Sequence, residues 1–229
     1  MYKLYIANKN YSSWSLRPWV LMSELGIPFE EHLVAFSEKN NWDEFRKFSP
    51  TGLVPCLSDN ETLVWESLAI VEYLAEKHSE VWPENSSARA WARSATVEMH
   101  AGFSAIRNQC PMTCGQRIKM HEIDSSLQKD LDRLAELWIQ GLEKFGGPFL
   151  AGNLFTAVDA FFCPIAFRAQ SYGLSLGDLP DQYIQRLLSM ASMQDWYEAG
   201  LKEPWRDKGH EEEIAATGEI VADYRAAAV

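Results

Sequence analysis

Over its first 78 residues the chain alternates strand-like and helical runs in the order β-α-β-α-β-β-α, and beyond residue 80 it turns almost entirely helical. That order is restrictive. A helical crossover between the first two strands makes them parallel, and a hairpin between the last two makes those antiparallel. The first part must therefore close as a small mixed sheet flanked by helices. Tyr2 to Ala7 alternates apolar and polar residues and reads as the first strand. Leu16, Trp19, Val20 and Ser23 recur at helical spacing until Gly26, with Pro28 just beyond as a stop signal. Phe29 to Phe36 is predicted as the second strand. Asn41 to Phe48 is predicted as a short helix with Trp42, Phe45 and Phe48 on one face. Pro50-Thr51-Gly52 is a turn. Val54 to Leu57 and Leu63 to Trp65 form a hairpin around Asp59-Asn60, and Ser67 caps a helix carrying Leu68, Val71, Tyr73 and Leu74.

The division that follows is an α/β domain over 1–78, a linker over 79–88 marked by Pro83 and Asn85, and a helical domain over 89–229. In that second domain a long helix is predicted over 88–108. Another is defined by Leu127, Leu131, Leu134, Trp138, Leu142 and Phe145, which step by three or four. Ala157 to Tyr172 is apolar enough for a buried helix, and two shorter ones follow around 182–190 and 194–201. The tail from Glu211 is acidic, then alanine-rich, and carries no assignable period.

Composition narrows the function. Lys+Arg number 21 against Asp+Glu 32, a formal net charge of -11, which disfavours nucleic acid and anionic lipid as partners. The longest apolar runs, such as Ala160 to Phe167, are too short to span a bilayer, and the N-terminus lacks an apolar signal core. A cytoplasmic protein is expected, with Cys56, Cys110, Cys114 and Cys163 as reduced thiols. No metal is expected: Cys110 and Cys114 lack a second ligand pair at zinc spacing, and His121 stands alone.

Three places in the first domain carry candidate chemistry, each with a structural reading beside it. In Tyr11-Ser12-Ser13-Trp14-Ser15-Leu16-Arg17 a serine either caps the first helix or aims a hydroxyl, with free backbone N–H groups, at an anion. At Val54-Pro55 the proline either decorates a sheet edge or, if the bond is cis, turns the N–H and C=O of Val54 outward to pair with an extended peptide. At Glu66-Ser67 the serine either caps a helix or holds a carboxylate while Glu66 pairs an ammonium, a combination suited to an α-amino acid head group.

Taken in this order, the three places resemble the cytosolic glutathione S-transferase family over nearly the whole chain, in its serine-type members and nearest to the zeta-like class. The resemblance is carried by Ser49-Pro50-Thr51-Gly52-Leu53-Val54-Pro55-Cys56-Leu57, by Glu66-Ser67 and the helix after it, and by Gly152-Asn153-Leu154-Phe155-Thr156-Ala157-Val158-Asp159-Ala160. In that last string Thr156 and Asp159 are expected to form a structural capping box. The fold it implies is a thioredoxin-like domain (βαβαββα) with an all-α C-terminal domain.

The resemblance implies reduced glutathione as cosubstrate. Leu53, Val54 and Pro55 would receive its cysteinyl backbone, Glu66 and Ser67 its γ-glutamyl head, and Lys39 its glycyl carboxylate. Ser12 would donate to the sulfur, with Ser13 as the neighbouring alternative. Trp14, Arg17, His100, Phe103 and Arg107 would meet a small apolar or aromatic electrophile, the last three from one face of the long helix, with 110–121 covering the cleft. A homodimer is implied.

Two departures set the chain apart from the zeta class, which isomerises maleylacetoacetate. Trp14 stands where that class has cysteine, and Arg168 stands three residues before its buried arginine. Isomerisation of that type is the alternative activity, and a non-catalytic binding protein on the same scaffold is the alternative of another class. With no cysteine between Met1 and Leu53, disulfide exchange through an enzyme thiol is not expected.

Overall fold

The computed structural model describes residues 1–37 and 41–226. Its first sheet is built on β1 (Tyr2–Ile6), whose alternate residues Tyr2, Leu4 and Ile6 are buried. β1 pairs in parallel with β2 (Phe29–Leu33) on one side and antiparallel with β3 (Cys56–Asp59) on the other, and β3 pairs antiparallel with β4 (Thr62–Trp65). The order β2-β1-β3-β4 is the mixed sheet that the sequence pattern requires. α1 (Ser13–Glu24), α2 (Asn41–Phe45) and α3 (Ser67–Ala75) are its helices.

Local chemistry sets the strand ends. β2 stops short of the expected Phe36, because the Asn8 side chain rather than a strand accepts the Phe36 N–H, at 2.7 Å. β3 begins at Cys56 and not at Val54, because Pro55 has no N–H for the ladder. The Val54–Pro55 bond is cis. At the start of α3 the expectation of a Ser67 cap is corrected. Glu66 is the N-cap, at φ 70 and ψ 130, and Ser67 is the first helical residue. A non-glycine residue in that backbone region is strained by about 1–3 kcal/mol, and such strain gathers at functional positions.

Segment 79–88 runs through a 3-10 turn (Ser79–Val81) into α4 (Ser86–Ala101), with Val81 and Trp82 buried. The long helix predicted over 88–108 is broken. α4 stops at Gly102, where a Cβ would lie 2.8 Å from the Glu98 carbonyl oxygen, Phe103 takes φ 54, and α5 (Ser104–Gln109) starts in a new direction. The Arg107 guanidinium crosses the break and donates from Nη1 to the carbonyls of Met99, His100 and Gly102. β5 (Gln116–Met120), α6 (Ser125–Phe145), α7 (Ala157–Tyr172), α8 (Asp178–Ser189), α9 (Ala191–Lys202) and α10 (Lys208–Ala215) follow. The unassigned tail supplies α10 and β6 (Gly218–Asp223), and β6 pairs antiparallel with β5 as a two-stranded ribbon on an otherwise helical domain.

α7 is buried along nearly its whole length and packs against α1 and α4, so it joins the two domains. Its start is the expected capping box of Thr156 and Asp159. Asp159 accepts from the backbone N–H of Leu150 and Thr156, each at 3.0 Å, and from the Tyr183 hydroxyl at 2.8 Å. Burial pushes its carboxyl up to about 6 against the pull of these donors.

Removing a buried acceptor strands every donor aimed at it. Asp159→Ala is therefore expected to lower the unfolding free energy by about 3 kcal/mol in urea titration; a loss below about 1 kcal/mol would show that α7 does not need this cap.

Candidate functional site

The turn between β1 and α1 delivers Ser12 and Ser13 to the junction of the two domains. Ser12 is the N-cap of α1, but its side chain makes no capping bond. Its hydroxyl donates instead to Ser15 Oγ at 2.7 Å, and Ser15 Oγ also accepts the Ala7 N–H at 3.3 Å. Ser13 opens the helix and is half-buried. Both serines line a cavity of about 360 Å³, together with Trp14, Leu53, Val54 and Arg107. A second cavity of about 380 Å³ shares Trp14, Leu53 and Val54 with the first and is closed by Pro55, Glu66 and His100. The two form one groove that runs from the start of α3 to the start of α1.

Polar groups without partners mark this groove. Ser67 Oγ is buried and has no hydrogen-bond partner. His100 Nδ1 is likewise buried and unpartnered, and its ring stands edge-on to Trp14 at 5.3 Å. Burial, then the nearby Arg17 charge, hold the His100 imidazole below its ordinary pKa. A buried polar atom with no partner is costly; His100 lies on the cavity wall, and Ser67 follows Glu66, which closes it.

Trp14 is the centre of a cationic stack. The Arg17 guanidinium lies 3.9 Å from its ring centroid and that of Arg107 lies 4.3 Å from it. Arg17 is buried beneath the groove, against Phe161 as well, and its Nε and Nη1 have no hydrogen-bond partner. Burial and the charges of Arg107 and Arg168 depress its pKa. Arg168, on α7, reaches the first cavity, donates from Nε to the Cys110 carbonyl at 2.8 Å, and has its pKa pushed down to about 10 by burial. Among the described residues no carboxylate lies within ion-pair distance of Arg17, Arg107 or Arg168. In a chain of net charge -11, three guanidiniums are gathered around one groove whose walls also carry Glu66 and Glu213, and the Glu66 charge acts on Arg17 from beyond ion-pair distance.

Most of the residues singled out from sequence thus meet in the groove or, like Ser67 and Arg17, directly behind it. Phe103 does not. It sits at the helix break, 6% exposed, in the core, so the expected stripe of His100, Phe103 and Arg107 on one helix face is not present. Lys39 lies outside the described residues. From 110–121, Pro111 and Met112 do cover the cleft, while Arg117 and Lys119 belong to β5. Sequence reasoning missed Phe36, Asn108, His210 and Glu213 as cavity residues. The one signal for His210 was Asp207 ahead of it as a helix N-cap.

The chain's own thiols are poorly suited to reaction. All four cysteines are buried, and burial pushes Cys56 up to about 11, Cys110 up to about 12, and Cys114 and Cys163 upward as well. Among the described residues no group of His, Cys, Asp and Glu could hold a metal ion, and no helix is long and apolar enough to cross a membrane.

A family model described as "Glutathione S-transferase, N-terminal domain" matches residues 11–77. The chain is 27% identical over 208 residues to glutathione S-transferase GstB of Escherichia coli, covering 86% of this chain and 92% of that protein. Among solved structures it resembles glutathione S-transferase unclassified 2 from Bombyx mori, with a TM-score of 0.70 and 23% identity over 95% of this chain and 99% of that one. It also resembles a Burkholderia glutathione transferase homolog with bound glutathione, with a TM-score of 0.65 and 20% identity over 87% and 97% of the two chains. At these identities the structural likeness establishes the fold.

A buried charge without a partner destabilises the protein that carries it. Arg17→Met keeps the apolar stem against Phe161 and removes the charge, so the ligand-free variant is expected to gain about 1–2 kcal/mol in urea unfolding. A loss of stability would mean that the guanidinium is satisfied.

Proposed function

We infer, because this chain belongs to the cytosolic glutathione S-transferase family, that it is a glutathione transferase, and we propose that it binds reduced glutathione along the groove and activates the thiol for attack on a small apolar or aromatic electrophile. The observation that carries the binding mode is the orphaned, buried Ser67 hydroxyl behind a backbone-strained Glu66. At that corner a carboxylate would take the Ser67 hydroxyl and the amides of the α3 N-terminus, and Glu66 would take the α-ammonium of the same head group. The cysteinyl backbone would pair with the N–H and C=O of Val54 as an added strand. The sulfur would then lie at the first turn of α1.

At that turn the chemistry is ionisation. A free thiol has a pKa of about 8.5, so it is only a few per cent thiolate at neutral pH. Lowering the pKa by about two units needs roughly 2.7 kcal/mol of preferential thiolate stabilisation. A charge-directed hydrogen bond and a helix N-terminus are each of the right size to contribute. Ser12 is the proposed donor. Rotating two C–O bonds reverses its link with Ser15, so that Ser15 donates to Ser12 and Ser12 donates to sulfur. The three guanidiniums add positive potential beside the groove and offset the global charge of -11. The working form is proposed to be a cytoplasmic homodimer with a role in detoxification, with exposed Leu63, Trp65 and Val97 available to an interface.

Titration calorimetry tests the binding mode. Wild-type protein is expected to bind reduced glutathione, and Ser67→Ala and Glu66→Gln are each expected to weaken it about tenfold, the worth of one hydrogen bond to a charged group. No binding by the wild type, or unchanged affinity in both variants, would overturn this mode.

A further inference from the structure

We propose that His210, oriented by Asp207, is a second catalytic residue that donates a proton to the electrophile, and that the electrophile is therefore a conjugated carbonyl compound such as an enone. This rests on the reading of the groove as a thiol-activating site.

His210 projects from α10 into the 360 Å³ cavity that Ser12 and Ser13 also line, so it faces the proposed sulfur position from the other domain. Asp207 is the N-cap of α10. Its Oδ1 accepts the backbone N–H of His210 at 3.1 Å and lies 2.7 Å from ring Nδ1. An acceptor already engaged by a backbone N–H takes the Nδ1 proton as well, so the remaining ring nitrogen, Nε2, carries the proton that can be exchanged when the imidazole is charged. Nε2 has no partner among the described residues. The ring is gripped by Tyr11, stacked at 4.9 Å and 18°, and by Phe36 at 4.8 Å and 31°. Tyr11 is itself fixed through its hydroxyl by Glu211 and Arg225. A carboxylate-oriented imidazole held in an aromatic vice beside a reaction cavity has the geometry of a general acid.

The same cavity shows what reaction needs one. Arg107 and Arg168 line it beside Glu213, with no carboxylate of the described residues within ion-pair distance of either guanidinium. Displacement of a halide expels a stable anion and needs no proton. Addition to a conjugated carbonyl does. The thiolate forms a C–S bond at the β-carbon while the C=C π pair moves toward the carbonyl, giving an enolate. The guanidiniums stabilise the oxygen on which charge develops. Nε2–H then delivers a proton to the α-carbon, and the imidazole regains one from water. Net, the thiol S–H adds across the double bond and no other reactant is consumed. The charged and titratable groups around His210 are Asp207, Glu211 and Glu213 on its own segment, Tyr11 from the first domain, Arg225 through Tyr11, and Arg107 and Arg168 from α5 and α7.

The test compares two probes with saturating glutathione: 4-phenyl-3-buten-2-one, an enone, and 1-chloro-2,4-dinitrobenzene, an aryl chloride. His210→Phe keeps a ring in the stack and removes the proton, and His210→Gln serves if circular dichroism shows that the first variant does not fold. The ratio of enone to aryl-chloride kcat/KM is expected to fall about a hundredfold in the variant, the low end of what general acid catalysis contributes. Asp207→Asn, which weakens the hold on ring Nδ1, is expected to lower the same ratio in part while leaving the aryl-chloride rate unchanged. An unchanged ratio in the His210 variant overturns the proposal. So does a wild type that binds glutathione but leaves the enone unchanged. Failure to bind glutathione at all overturns the underlying reading instead.

Discussion

Lys9 and Asn10 give their backbone N–H groups to one buried carboxylate, Glu203, which comes from just beyond α9. The Asn10 side chain answers by accepting the N–H groups of Cys114 and Gly115, at 3.0 and 3.1 Å, and Trp196 donates to the Lys9 carbonyl at 2.8 Å. The turn that presents Ser12 and Ser13 is thus fastened by the second domain on three sides. Burial raises the Glu203 carboxyl, so the clamp depends on hydrogen bonds that keep the charge in place. Their combined effect is to fix the backbone of a helix start whose Ser12 and Ser13 line a groove, with only the Ser12–Ser15 hydroxyl pair left to rotate. A donor set fixed before the ligand arrives needs no reorganisation when charge develops, and electrostatic stabilisation of this kind rests on that condition.

The electrostatics separate into a global and a local part. Carboxylates dominate the whole surface, but the groove is surrounded by Arg17, Arg107 and Arg168, of which the first and third are almost fully buried. Each of the three has its pKa lowered by burial. They stay in place because their other faces are engaged, Arg17 and Arg107 against Trp14 and Arg168 by the Cys110 carbonyl. An anion bound in the groove would offset the repulsion among these charges, which couples stability to binding at this point.

The sheet was legible in the chain because its information is short-ranged. The alternation of Tyr2 to Ile6, the stop at Gly26 before Pro28, and the Asp59-Asn60 hairpin each act within a few residues. Val54-Pro55 and Glu66-Ser67 were legible as candidates because each is a short contiguous string, and what distinguishes both in the structure, a cis bond and a positive φ, lies in the backbone. The break at Gly102 was not, because Met99, His100 and Arg107 keep a helical spacing across it, and what ends α4 is a close approach of backbone to backbone together with a capping arginine. His210 was hidden for a related reason. Only the pairing of β6 with β5, joined by a ring of Tyr11, Glu211 and Arg225, brings an acidic, alanine-rich tail over the groove. Contacts across about 200 residues of sequence leave no period to read.

A sulfur stabilised as an anion at the start of α1 is the physical claim beneath these arguments. The direct measurement is ultraviolet thiolate absorbance of bound glutathione as a function of pH, in wild type and in Ser12→Ala. The wild type is expected to hold the thiol about two units below the free value of roughly 8.5, and the variant to return it most of the way. A bound thiol that titrates like free glutathione in the wild type, or one that stays equally depressed without the Ser12 hydroxyl, would contradict it.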